Sequence, residues 1–406
     1  MKIGVVGLGY VGSVTAAVLA EAGNEIIAVD VDRDKIESLS RGEPPIYEPG
    51  LKEALTRNRE NIHFSSSFEQ LRGSAACFLC VPTPNRGGRI DLSYVVSASE
   101  SVSSVDASTV IVIKSTVLPG TASMVRERAR MRVVSNPEFT REGSAVEDTR
   151  HPDRIVVGSA GAPEAQLVEN IWKFTGSPVL RTNNENAELI KYASNAFLSV
   201  KISFINEISN LCERIPGGDV EVVAKGMGMD RRIAPYFLKA GIGYGGSCFP
   251  KDTEALLSFA QEKGDPLKIV EASRMVNEGR ISRFLDMVKR AEPPSNTTDI
   301  SVLGVAFKDS TDDIRESQAA KLVRSLIPLY RSVYFYDPVV KTFEGATRCG
   351  SLKECIQRSR TVVIATEWPE FGRLSTMGFT GNVIDGRRIL SPDISEKFYA
   401  VGLNHA

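Results

Sequence analysis

The sequence predicts an α/β protein in which two doubly wound parallel sheets are joined by a long central helix. Three observations predict it. In the first half of the 406 residues, short β-branched runs alternate with helical segments, the pattern of a parallel sheet covered on both faces. From Asn184 to Glu213 a helical pattern runs without internal proline or glycine, roughly 45 Å at the standard rise. Near Asp299, after the loop Pro293-Pro294-Ser295-Asn296, a second alternation opens with Ile300-Ser301-Val302-Leu303-Gly304-Val305-Ala306-Phe307. The expected parts are residues 1–183, 184–294 and 295–406.

The first element justifies itself most fully. Lys2-Ile3-Gly4-Val5-Val6 reads as a short buried strand, and Gly7-Leu8-Gly9-Tyr10-Val11-Gly12 follows at once, opening an alanine-rich helical run through Ala22. This is a dinucleotide fingerprint in its required context. Gly7 permits the tight turn, Gly9 lets the backbone meet a pyrophosphate, and Gly12 lets helix and strand pack closely, with phosphate at the helix N-terminus. Tyr10 and Val11 lie inside the same cradle. The next strand, Ile26-Ile27-Ala28-Val29, ends in Asp30, placed for a carboxylate that hydrogen-bonds the adenosine ribose. Asp30 would repel a 2′-phosphate, so the expected cofactor is NAD rather than NADP, and the expected domain is Rossmann-like. Arg33 and Lys35 lie close enough to bear on that choice, and Lys35 is counted among the cofactor contacts.

Further strands are expected at Ala76–Val81, Thr109–Ile113, Val133–Ser135 and Ile155–Val157, and in the second unit at Val333–Tyr336, Thr361–Ala365 and Val383–Asp385. In a doubly wound sheet ligands gather at the carboxyl ends of strands. The loops there are Pro82-Thr83-Pro84, Lys114-Ser115-Thr116 and Asn136-Pro137-Glu138-Phe139-Thr140-Arg141-Glu142-Gly143.

A second feature is chemical. Gly243-Tyr244-Gly245-Gly246-Ser247-Cys248-Phe249-Pro250-Lys251-Asp252 sets one cysteine in a flexible glycine turn, beside a cation and an anion, just before a helix. Read alone, Cys248 is either a small packing residue or a nucleophile whose thiolate the helix N-terminus and Lys251 favour.

Composition excludes several classes. The net charge is −1, with three histidines and no long basic run, so nothing marks a nucleic-acid partner. No apolar stretch reaches membrane-spanning length, and the N-terminus is a fold-building strand rather than a cleavable signal, which points to the cytoplasm. The six cysteines do not make a disulfide framework. Cys77 and Cys80 share C-x-x-C spacing, but the apolar run around them is strand-like, so their side chains should point to opposite faces and no metal site is expected.

The ordered motifs give the chain a family resemblance over nearly its whole length. They are Gly7 to Gly12, Ile46-Tyr47-Glu48-Pro49-Gly50-Leu51, Lys114-Ser115-Thr116, Asn136 to Phe139 with Arg141-Glu142-Gly143, Lys191 with Asn195, the Cys248 decapeptide, and Phe307-Lys308 with Arg315-Glu316-Ser317. The chain resembles the UDP-glucose/GDP-mannose dehydrogenase family, and within it the members acting on UDP-glucose. Thr140 departs from the leucine the resemblance implies.

The resemblance implies oxidation of a sugar-nucleotide primary alcohol to a carboxylate with two NAD per turnover, in a homodimer or higher homo-oligomer. It implies catalytic roles for Cys248, Lys191, Asn195, Asp252, Glu138 and Thr116. Glu138 with Thr116 would position water, Asp252 would handle protons near Cys248, and Glu142 would touch the nicotinamide end. Pro82, Thr83, Thr116, Lys251 and Arg315 join the implied cofactor contacts. Implied substrate contacts are Phe139, Glu142, Lys191, Asn195, Tyr236, Phe237, Leu238, Lys239, Tyr244, Gly245, Phe307, Lys308 and Arg315, with one or both of Arg387 and Arg388. Arg232 would reach sugar hydroxyls from the neighbouring subunit.

The residues themselves leave alternatives open. Lys191 and Asn195, one helical turn apart, read from spacing alone as a solvated face, and only the resemblance makes them catalytic. Thr116 and Asp252 read equally as helix caps, and Glu138 as a loop charge. Either Lys191 or a water held by Asp252 would serve as first base. Rival functions are the same chemistry on GDP-mannose or a UDP-N-acetylhexosamine, a simple two-electron hydroxyacid-type dehydrogenase, and a non-catalytic sugar-nucleotide binding module. The two-electron rival has no use for Cys248 or for a second nucleotide-binding domain.

Overall fold

A computed structural model describes residues 1–395 and 397–404. They form two compact units, Met1–Ser194 and Asn195–Ala406. In the first, eight strands build one sheet: β1 (Lys2–Val6), β2 (Glu25–Val29), β3 (Ile62–Ser65), β4 (Ala76–Leu79), β5 (Val110–Ile113), β6 (Val133–Ser135), β7 (Ile155–Ser159) and β8 (Val179–Thr182). Their spatial order is β3-β2-β1-β4-β5-β6-β7-β8. All neighbours are parallel except β6 and β7. The central strands are buried along their whole length, as continuous Val and Ile runs covered on both faces must be. Alternate residues feed two cores, Val5 one and Val6 the other. Cys77 and Cys80 divide in the same way.

The first helix, Tyr10–Glu21, is buried over most of its length, so its alanines need no amphipathic stripe. It packs so tightly on β1 that a Cβ on Gly12 would lie 1.8 Å from the Gly7 carbonyl oxygen. Strands β3 and β8 lie at the two sheet edges and were not expected. Edge strands need no continuous apolar run, and Val179–Thr182 is largely exposed.

The long helix spans Asn184–Cys212, 29 residues, as the unbroken pattern predicts. In the second unit the helices Val220–Gly228, Phe249–Glu262 and Lys268–Ala291 precede a six-stranded sheet. Its strands are β9 (Ser295–Leu303), β10 (Tyr330–Tyr336), β11 (Thr347–Arg348), β12 (Thr361–Ile364), β13 (Asn382–Asp385) and β14 (Phe398–Ala400), in the order β11-β10-β9-β12-β13-β14. Every pairing is parallel, the doubly wound arrangement foreseen. The loop expected at residues 293–296 is shorter than that. Ser295 already pairs with Tyr330, across an irregular register that resumes at Asp299.

The two sheets repeat one local device. Gly7 and Gly304, both at φ 89°, donate N–H to the last residue of the neighbouring strand, Val29 and Tyr336 (2.8 Å each). Just beyond those strands, Asp30 and Asp337 accept backbone N–H groups from the turn that follows each glycine. Among the described residues no helix is long and apolar enough to cross a membrane.

Candidate active site

In the first unit the glycine turn is built to receive a dinucleotide. A Cβ on Gly9 would meet nothing within 4 Å, so the backbone at the helix N-terminus is open to approach. Asp30 accepts from the Leu8 N–H (2.7 Å), the Asp32 N–H (3.0 Å) and Lys35 Nζ (2.8 Å). Burial raises its carboxyl, but Lys35 and the two backbone donors outweigh burial and hold it below the usual carboxylate value. An anion fixed here suits ribose hydroxyls and opposes a 2′-phosphate. The structure turns Lys35 toward Asp30.

At the carboxyl end of β6, Glu138 and Lys191 form a buried ion pair, Nζ to Oε1 2.8 Å. The other carboxylate oxygen accepts both the N–H and the hydroxyl of Thr140, each at 2.6 Å. Burial alone would raise the Glu138 carboxyl; Lys191 and Thr140 reverse this and hold it below its ordinary value. Glu138 is therefore no loop charge. Thr116 and Lys191 line one small cavity with Ser115, Pro137 and Glu188. Thr116 caps no helix: the next one opens at Gly120. Phe139 lies under the Arg154 guanidinium, 3.7 Å from its ring centre, with Lys191 Nζ at 5.6 Å. Thr83 is buried and Pro82 exposed.

Three residues of this unit had no role assigned from the sequence, Glu48 and Lys114 although they lie in motifs, and Glu188 which lies in none. Glu48 accepts from the N–H groups of Gly143 (2.6 Å) and Ala145 (2.7 Å), and Tyr10 Oη also accepts from Gly143; together they anchor the loop that carries Glu142. Glu188 accepts from the N–H groups of Gly120 and Ala122 and from the Ser135 hydroxyl. Lys114 donates to Asn136 and stands over the Trp172 ring. Burial pushes it down to about 8, with Cys80 and Glu138 resisting.

In the second unit Cys248 is the N-cap of the helix Phe249–Glu262 and is half-buried. The Asp252 N–H closes the first turn on its carbonyl at 2.8 Å. Asp252 is buried and takes Asn195 Nδ2 on one oxygen (2.7 Å) and Lys251 Nζ on the other (2.7 Å). Its side chain is committed to the long helix and to Lys251, so the capping alternative fails. The turn before Cys248 is fixed by close approach: Gly246, at φ 83°, has a Cβ position 2.8 Å from the Phe307 ring.

The implied substrate residues of this unit stand in several different settings. Lys239, Lys308 and Arg387 all face Glu367, whose carboxyl burial would raise and these cations hold below its usual value. Arg387 donates to the Ala365 carbonyl at 2.8 Å, on a loop whose N–H groups Asp385 gathers. Tyr236 and Arg232 are exposed, and Arg232 donates to nearby Asp230. Arg315 pairs with Asp313, and Phe237 takes φ 62°. Leu238 and Tyr244 are buried, and the Tyr244 ring packs edge-on against Phe249. Gly245 lies against the Glu316 carbonyl. Arg388 has an acidic partner within this unit. Its guanidinium is buried against both oxygens of Asp219 (2.8 and 2.9 Å).

Residues 1–175 match the NAD binding domain of the UDP-glucose/GDP-mannose dehydrogenase family, 185–279 its central domain and 301–392 its UDP binding domain. The chain belongs to this family. It is thus a dehydrogenase with an NAD-binding domain, and the open turn at Gly9 and the fixed Asp30 carboxylate fit that cofactor. It is 40% identical to UDP-glucose 6-dehydrogenase TuaD of Bacillus subtilis (strain 168), over 96% of this chain and 90% of the relative. A UDP-glucose dehydrogenase from Pyrobaculum islandicum superposes with a TM-score of 0.93 at 35% identity, covering 99% of this chain and 98% of that one. A UDP-D-ManNAc dehydrogenase from Pyrococcus horikoshii follows at a TM-score of 0.89 and 28% identity, with both chains fully covered.

Proposed function

We propose that this enzyme oxidises UDP-glucose to UDP-glucuronate by four electrons, through covalent adducts on Cys248. The observation that carries the reading is the half-buried thiol at a helix N-cap, with the Asn195–Asp252–Lys251 cluster one turn along. Taking an alcohol to an acid removes two hydrides with an aldehyde between them. NAD, when bound, accepts each hydride. The Cys248 sulfur adds to the aldehyde carbon and the oxygen takes a proton, giving a thiohemiacetal; loss of the second hydride and a proton leaves a thioester. Water then attacks, the carbon–sulfur bond breaks and the thiol is regenerated. Each step builds negative charge on the sugar oxygen, which Lys191 and Asn195 stabilise.

Glu138 fixes the Lys191 ammonium, Thr116 and Glu138 hold water, and Asp252 handles protons at the thiol. The first proton goes either to a water held by Asp252 or to Lys191, which would have to be a neutral amine at that step and an ammonium only afterwards. Lys239, Lys308, Arg315 and Arg387 are read as contacts for the diphosphate, with Tyr236, Phe237, Leu238, Phe139, Phe307 and the backbone at Tyr244 and Gly245 around the nucleotide and sugar. The functional partition is 1–183 for NAD, 184–294 for dimerisation and the thiol, and 295–406 for the nucleotide sugar. A reduced thiol fits the cytoplasm.

The likeness to the Pyrococcus horikoshii protein supports a second reading, the same chemistry on a UDP-N-acetylhexosamine. A panel of UDP-glucose, UDP-N-acetylhexosamines and GDP-mannose, scored by NADH formed per sugar consumed, decides between them. The expected result is two NADH per UDP-glucose with no free aldehyde. A ratio near one with aldehyde accumulating removes the thioester scheme. Binding without turnover of any sugar leaves a binding module.

A further inference from the structure

We propose that Thr140 is a positioning residue of the reaction, its hydroxyl clamping the Glu138 carboxylate and thereby setting where the Lys191 ammonium stands. The proposal rests on the catalytic reading of Lys191 and Glu138 above.

The geometry is specific to the hydroxyl. Any residue at position 140 would offer its N–H to a carboxylate two residues back, as this one does at 2.6 Å. Thr140 adds Oγ1, also at 2.6 Å, to the same oxygen. Two donors on Oε2 fix the carboxylate plane and leave Oε1 for Lys191 Nζ at 2.8 Å. Both ends of that pair are almost withdrawn from water, with 7% and 4% of their side chains exposed. A charge-assisted hydrogen bond in such surroundings is stronger than one at the surface.

Other ionisable groups around Glu138 do not do the same work. Lys191 reaches it from the long helix, while Lys114, at the end of β5, and Cys80, just after β4, act on it only through space. The Thr140 hydroxyl is the one side-chain donor besides Lys191 that the hydrogen bonds of the described residues place on this carboxylate. Both donors stabilise the ionised form, in keeping with a Glu138 carboxyl held below its ordinary value against burial.

The test compares Thr140→Val, which keeps the β-branched shape and removes the hydroxyl, with Thr140→Ser, which restores it. Whichever nucleotide sugar the wild-type enzyme oxidises serves as substrate, so failure of the UDP-glucose assignment leaves the test intact. In Thr140→Val, kcat should fall about tenfold with KM little changed, since a loosened carboxylate misplaces the cation rather than the binding surface. The acid limb of the pH profile should move up by about one unit, because removing a donor to the ionised form raises the carboxyl. Thr140→Ser should return both. On a Glu138→Gln background, Thr140→Val should add nothing further.

A readout independent of turnover is the titration of the Glu138 carboxyl carbon by NMR, assigned with Glu138→Gln, which should move upward in Thr140→Val. If Thr140→Val proves insoluble, Thr140→Ala carries the same expectations. An unshifted titration and pH profile overturns the clamp. So does a loss of activity that serine fails to rescue, or one that adds in full to Glu138→Gln.

Discussion

At the scale of the single residue, the thiol and its surroundings define what the chemistry requires. Cys248 stands where a helix begins, and the aligned N–H dipoles there favour an anion on sulfur. Cys248→Ser should retain ligand affinity and lose steady-state turnover by about a thousandfold or more, because an alkoxide-level nucleophile forms and leaves far less readily. Near-normal steady-state turnover in that variant would make Cys248 a packing residue. Residues of this kind were legible because their signals are contiguous: Gly7 to Gly12 followed by Asp30, and the glycines around Cys248, are local motifs. The roles of Glu48 and Glu188 were not legible. Their partners lie 95 and 97 residues away for Glu48 and 66 and 68 for Glu188, and no window of sequence contains both ends of such a contact. The partner of Arg388 was hidden in the same way. It adjoins Arg387, and only the fold shows that Asp219, 169 residues distant, takes its charge.

At the scale of the element, Glu188 joins two helices in a way that titrates. It projects from the long helix and receives the N–H groups of Gly120 and Ala122, at the start of the helix Thr121–Ala129. Burial pushes its carboxyl from 4.5 up to about 7, and the two backbone donors and Ser135 keep it from rising further. Below the unfolded value the group is neutral in both states. As the pH climbs from there through the folded value, the unfolded chain gives up its proton first, so the protonated folded form loses its advantage. Relative to Glu188→Gln, the wild-type protein should lose up to about 3 kcal/mol of stability between pH 4 and pH 8. Denaturant unfolding of the two proteins across that range checks this, and stability curves that run parallel would show that Glu188 does not titrate in the folded protein. Elements were read well where burial imposes a continuous apolar run, as in β1, β4 and β5. They were missed at the edges, in β3 and β8, where half the strand is free to be polar.

At the scale of the whole molecule, the long helix leaves an apolar stripe uncovered. Phe197, Phe204 and Leu211 are 65%, 47% and 54% exposed, and a spacing of seven keeps them on one helix face. Val200 and Ile208, half-buried, border the same stripe. The periodicity of this helix predicted apolar residues on more than one side. The structure shows which of them the chain itself covers, Ile205 being wholly buried. We propose that a two-fold dimer, the assembly the family resemblance implies, covers this stripe, since a two-fold interface sets the same patch of both chains against itself. Arg232, whose side chain is 88% exposed, would then serve the sugar of the neighbouring site. The consequence is genetic as well as structural. Chains carrying Cys248→Ser and chains carrying Arg232→Ala should each be inactive alone. A hybrid dimer contains one site with its own Cys248 and the partner chain's Arg232 both intact, so mixing them should restore up to about half of the activity per hybrid if the two sites act independently. Purified hybrids, separated by two affinity tags and checked by light scattering, give the measurement. A fully active monomer, or verified hybrids with no recovered turnover, would confine the whole site to one chain.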